Sequence, residues 1–147
     1  MNTQEILKAT GALKVVLTGA DGRVKHEQEV KNLVVTTGLG YIASRMRDTS
    51  QAAMSHMAIG AGTANAIAGD AALGSELGRV ALTSTVVTGN QAVYTATFAP
   101  GTGTGAVTEA GIFNAASAGT MLCRTKFAVV NKDAGDTLSI TWTVTIS

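Results

Sequence analysis

The sequence predicts a mainly β fold, an antiparallel β-sandwich or barrel of jelly-roll or Greek-key type, with one short α-helix near residues 37–48. Three observations carry that expectation. Residues 137–147 alternate without error: Leu138, Ile140, Trp142, Val144 and Ile146 on one side, Thr137, Ser139, Thr141, Thr143, Thr145 and Ser147 on the other. A period of two is that of a strand with one buried face, and the β-branched and aromatic content agrees. From Arg79 onward, short apolar runs are separated by turn signals at intervals of about 8–12 residues, the spacing of a sandwich or barrel. One convincing helical repeat occurs, with Leu39, Ile42, Ala43 and Met46 at one-face spacing.

The elements follow in order. Residues 1–12 read as an N-terminal arm, with Ile6, Leu7 and Ala9 among polar neighbours, and residues 13–147 as one β-sandwich domain. Leu13, Val15 and Leu17 start the first strand, and Gly19-Ala20-Asp21-Gly22 turns it back. Residues 23–30 form a charged return strand suited to a sheet edge, and Lys31-Asn32 a break. Thr36 or Thr37 is the expected N-cap of the helix. A buried strand is expected over residues 53–59, a long loop over 60–69 and a helical turn within 70–78. Strands over 79–87 and 92–98 flank a Gly89-Asn90 hairpin turn, and strands over 106–113 and 121–130 precede the terminal one. Trp142, the only Trp, is placed to anchor the core.

Composition narrows the function. The 147 residues carry a net charge of +1 with 14% charged residues, and the basic residues are scattered, so neither nucleic acid nor a membrane surface is an expected partner. No apolar run approaches the ~20 residues of a membrane span. Met1-Asn2-Thr3-Gln4-Glu5 lacks the basic start of a signal peptide, so none is expected. The single Cys123 lies in an apolar run and reads as a core residue. With 46% hydrophobic residues and so few charges, the surface is expected to be covered in part by other subunits.

Motifs of catalysis and ligation do not assemble. Gly38-Leu39-Gly40-Tyr41-Ile42-Ala43 has the form G-x-G-x-x-A after a strand, but no βαβ alternation or ribose-binding acid follows, so it reads as a glycine-softened helix start. Gly101-Thr102-Gly103-Thr104-Gly105 lacks the Gly-Lys-Ser/Thr of a phosphate loop. His26 and His56 have no metal-ligand spacing, and Asp133 and Asp136 read as turn residues. Glu109, alone in its strand, is expected to pair with Arg124 or Lys126 across the sheet rather than to act as an acid. No catalytic, metal or cofactor residue is assigned. A carbohydrate-binding sandwich is a second alternative, weakened by a 4% aromatic content and by Phe98 and Trp142 reading as buried.

Four segments carry a resemblance: Met57-Ala58-Ile59-Gly60-Ala61-Gly62-Thr63, Leu73-Gly74-Ser75-Glu76-Leu77-Gly78-Arg79-Val80, Thr108-Glu109-Ala110-Gly111-Ile112-Phe113-Asn114-Ala115-Ala116 and Ala134-Gly135-Asp136-Thr137-Leu138. In this order they resemble small virion structural proteins of tailed bacteriophages and prophages, described as decoration or tail-fibre-related, over about residues 32–147. The resemblance implies a non-enzymatic virion component, assembled in the host cytoplasm. Its partners would be copies of itself and other virion proteins: a major capsid protein, or tail and collar proteins. Capsid decoration is the favoured address for one compact domain without fibrous repeats; a tail, collar or baseplate piece anchoring a fibre is the alternative. The expected contact residues are Ile6 and Leu7 of the arm and Ser139, Thr141 and Thr143 of the uncharged strand face.

Overall fold

A computed structural model describes residues 7–47 and 51–147. It is mainly β: β1 (Ala9–Thr18), β2 (Val24–Val34), α1 (Thr36–Ser44), β3 (His56–Gly60), β4 (Glu76–Ala81), β5 (Ser84–Thr88), β6 (Gln91–Phe98), β7 (Gly105–Phe113), β8 (Met121–Lys132) and β9 (Thr137–Ile146). The nine strands form one antiparallel curled sheet in the order β4-β3-β7-β8-β2-β1-β9-β6-β5. Its two end strands are consecutive in sequence. β4 and β5 are joined through Leu82 and Thr83, whose amides donate to Ser55 O on the β3 side and to Thr95 O on the β6 side. The ends of the sheet must therefore come together, which gives a sandwich nearly closed into a barrel.

β2 makes the opposite corner. It pairs with β1 from Val24 to Asn32, and only Leu33 and Val34 pair with β8. The charged return strand is thus an edge over most of its length and a junction at its end. The break expected at Lys31-Asn32 does not occur, because Gly11 and Ala12 of β1 pair with both residues and carry the ladder through.

The core lies between two walls, the first formed by β2, β1, β9, β6 and β5 and the second by the end of β2 with β8, β7, β3 and β4. β9 runs between β1 and β6, and its three central apolar residues are each in register with two others: Trp142 with Leu13 and Tyr94, Ile140 with Val15 and Ala96, Leu138 with Leu17 and Phe98. These meet Met57, Ile59, Ile112, Cys123 and Phe127 from the facing wall. Trp142 and Phe98 are fully buried, and each large apolar side chain so placed contributes about 1.5–3 kcal/mol. Burial also pushes the Cys123 thiol well above its ordinary range.

Several sequence expectations shift. β1 begins at Ala9, with Lys8 and Ser147 exchanging two backbone hydrogen bonds ahead of it, so residues 9–12 belong to the sheet rather than to an arm. The strand expected from residue 53 begins at His56. The strand expected over 79–87 is two strands bent at Leu82-Thr83, and residues 70–75 form bends that lead into β4 rather than a helical turn.

The helix departs most from its sequence pattern. Val35 is its N-cap, without a side-chain cap among the described residues; Thr37 instead donates its hydroxyl to Met121 O of β8 at 3.0 Å. Its buried residues are Gly38 and Tyr41, whose hydroxyl accepts a hydrogen bond from Met54 N. Gly38 lies directly on the Leu122 carbonyl, where any Cβ would collide with fixed backbone. That contact turns the helix so that most of its apolar stripe points outward: Leu39 is 51% exposed, Met46 87%, and Ala43 is exposed, while Ile42 is half-buried against the core. The helical residues end at Ser44; Asp48, in the expected span, lies outside the described residues.

Candidate interaction surface

The largest buried polar cluster sits on the outer side of the second wall, and a β-bulge puts it there. The register of β7 against β8 shifts between Val107 and Glu109. Val107, Ala110 and Ile112 all enter the core, which a regular alternation forbids, and Glu109 is turned to the opposite face. There the loop of residues 61–75 covers it completely. One oxygen, Oε2, accepts from Gly62 N at 2.6 Å and Ser75 N at 2.8 Å. The other, Oε1, accepts from Gly74 N at 2.8 Å, Arg124 Nη2 at 3.0 Å and Arg124 Nε at 3.1 Å.

Arg124 completes the network. It donates to Asp70 Oδ2 at 2.9 Å and to Ala64 O at 2.9 Å, while Thr108 Oγ1 donates to Gly62 O at 2.7 Å. Of the two expected partners for Glu109, Lys126 is its register neighbour across the strands, yet Arg124, diagonal on the same face, makes the ion pair. Burial raises the Glu109 carboxyl pKa, but the donors of Gly74, Ser75, Arg124 and Gly62 pull it down further, so the net shift is below its ordinary value. A carboxylate whose oxygens already accept five hydrogen bonds is suited to fastening a loop, not to relaying protons.

Arg79 does the same for the next turn. It lies 3.8 Å over the Phe113 ring, pairs with Glu76 and donates to Ala115 O and Ala118 O. Three of the four segments carrying the sequence resemblance thus meet in one place, with β3 between β4 and β7 and their loops fastened through Glu109 and Arg79. The fourth is also structural. Asp136 accepts from Asp133 N, and Lys25 bridges both aspartates at 2.8 and 3.3 Å. Lys132 is buried beside this turn and donates to Ala99 O. Among the described residues no group of three or more His, Cys, Asp or Glu side chains is placed to hold a metal ion.

The surface features lie elsewhere. Register places residues of the first wall in rows across its outward side: Lys31, Ala12, Thr143, Val93, Val86 in one, and Glu29, Lys14, Thr141, Thr95, Ser84 in the next. A third runs Glu27, Val16, Ser139, Thr97. All charge sits on β2 and β1, where Lys14 and Glu27 pair at 2.7 Å, and from β9 to β5 these rows carry only Ser, Thr and Val. The three expected contact residues of β9 are therefore together at the centre of this wall: Thr141 is exposed, and Ser139 and Thr143 are half-buried. Shallow depressions of about 310 and 430 Å³ run along it, both bordered by Ala12 and Thr143.

The expected arm residues are at a different place. Ile6 lies outside the described residues, whereas Leu7 is 79% exposed and borders a depression of about 170 Å³ with the outward Leu39 and Ala43 of α1, Met46 just beyond it, and the half-buried Ile42. Ile42 and Ile146 are shared with a neighbouring apolar hollow of about 210 Å³ that reaches Tyr94, Val144 and Val87. Periodicity marks the α1 stripe as apolar; its direction is set by the packing of Gly38 on Leu122, which no single-sequence pattern displays. Comparisons of the chain with protein-family models, with curated proteins and with solved structures return no match.

Proposed function

We propose that this chain is a non-enzymatic structural protein of a tailed-bacteriophage virion, a capsid decoration subunit that binds and stabilises the capsid lattice and assembles in the host cytoplasm. The observation that carries the reading is the distribution of its surface. One wall presents Ser, Thr and Val from β9 to the free strand β5, and an apolar helix stripe with Leu7 and Val87 lies at one end of the molecule. Surfaces of this kind are covered in assemblies, where charge is depleted and apolar area is removed from water. The ionic groups on the opposite wall are engaged in fastening loops and give the fold rigid edges. The resemblance of the four loop-fastening segments to small phage virion proteins points to the same setting. In it the chain works mechanically, joining neighbouring capsid subunits through a repeated contact and opposing the pressure of the packaged genome.

The test is copy number on purified particles from the genome that encodes the chain. Decoration requires hundreds of copies per virion. A dozen or fewer would move the protein to a tail, collar or baseplate position, as expected for a ring of cyclic symmetry, and absence from particles would reject the virion reading.

A further inference from the structure

We infer that β5 is a self-association edge: two copies of this chain pair their β5 strands antiparallel about a two-fold axis at Val86, joining their uncharged walls into one continuous sheet. The inference rests on the reading that the chain assembles with copies of itself, and it names the surface.

β5 ends the strand order, and its one ladder partner among the described residues is β6. Among the described residues no strand or turn pairs with the backbone groups on its other side. Sheet edges are ordinarily guarded by charge, proline, a bulge or a covering segment. Ser84-Thr85-Val86-Val87-Thr88 has neither charge nor proline, pairs with β6 in unbroken register, and is exposed at all five residues, with Val86 at 53% and Val87 at 71%. The other end strand, β4, differs. It carries Glu76 and Arg79, and its pairing with β3 is irregular between Ile59 and Gly60. Among the described residues, protection is present on one end of the sheet and missing on the other.

A second copy is the occupant that suits this edge. Pairing about Val86 sets Val86 against Val86, Thr85 against Val87 and Ser84 against Thr88. These are β-branched or hydroxyl pairs with no like charges opposed. The uncharged rows from β9 to β5 reach this edge, so two such walls meet without repulsion. On the inward side, Val87 already borders the hollow with Ile42, Tyr94 and Val144, and the partner's strand would extend that apolar border. A contact of one patch with itself closes as a two-fold dimer.

Sedimentation velocity and cysteine cross-linking on purified protein test this. Cys123 is buried, so a single introduced thiol reports on its own site. Wild type is expected to form a dimer that dissociates on dilution through the micromolar range. V86C should cross-link to itself under mild oxidation, and V129C, equally exposed but on β8 of the other wall, should not. V86K, which opposes two lysines at the axis, should weaken dimerisation at least about tenfold with an unchanged melting temperature. A wild type that stays monomeric, equal cross-linking at the two positions, or an undisturbed V86K dimer would overturn the inference; if V86K fails to fold, the cysteine pair decides. Dimers of a protein absent from virions would reject the virion reading alone, and virion incorporation without β5 cross-linking would reject the edge pairing alone.

Discussion

Replacing Glu109 by Gln removes one charge and almost no volume, so its effect isolates the fastening of the loop over residues 61–75. The carboxylate accepts five hydrogen bonds, two at Oε2 and three at Oε1. A glutamine amide presents one oxygen and one NH2 group. In its better orientation the NH2 faces Gly62 N–H and Ser75 N–H, leaving one buried and one part-buried donor without their acceptor, at about 1–3 kcal/mol for the buried one and less for the other. Arg124, 2% exposed, also loses one of its two counter-charges, with Asp70 remaining at 2.9 Å, and breaking a buried pair from one side costs about 3–5 kcal/mol. These costs overlap, so the expected loss is about 3–5 kcal/mol, a fall in melting temperature of roughly 6–20 °C for a chain of this size. Thermal denaturation followed by circular dichroism measures it, and limited proteolysis should show new cuts within residues 61–75. The double variant E109L/R124M should lose less than the sum of the two single changes. A melting temperature within about 2 °C of wild type with no new cuts would refute the fastening role.

Other consequences are as direct. G38A places a Cβ against the Leu122 carbonyl and should destabilise by about 1–3 kcal/mol, seen in urea unfolding, although alanine is the better helix former. The Glu109 carboxyl pKa lies below its ordinary 4.5 in the folded state, so the unfolded chain binds that proton first. Its stabilisation is complete above pH 4.5 and is lost as pH falls through the lower folded value; melting temperatures from pH 7 to 3 should show that loss in wild type and less of it in E109Q. L39E and M46E alter exposed positions and should change stability by no more than about 0.5 kcal/mol, yet weaken binding to particles in a pull-down with purified virions.

Sequence showed clearly what a single strand decides for itself. β9 alternates because every second residue enters the core, so its span, its apolar face and the burial of Trp142 could be read directly. The Gly89-Asn90 hairpin turn was legible too, since Gly89 adopts φ 58°, which glycine tolerates. What escaped depends on contacts between distant segments. The bulge before Glu109 reverses a face within β7, and nothing in Val107-Thr108-Glu109-Ala110 marks it. The bend at Leu82-Thr83 lies in an unbroken β-like run and exists because β3 and β6 stand on different walls. Of the surface, the Ser/Thr face of β9 was foreseen, but its continuation over Val93, Thr95 and the β5 edge required the register.

The role proposed for this chain is that of a lattice component. Quantitative mass spectrometry of purified virions, with cryo-electron microscopy of particles labelled on this protein, tests it most directly. Hundreds of copies at regular capsid positions are expected, with the uncharged wall or the α1 stripe turned toward neighbouring subunits. Particles that lack the protein, or that carry it with both surfaces open to solvent, would contradict it.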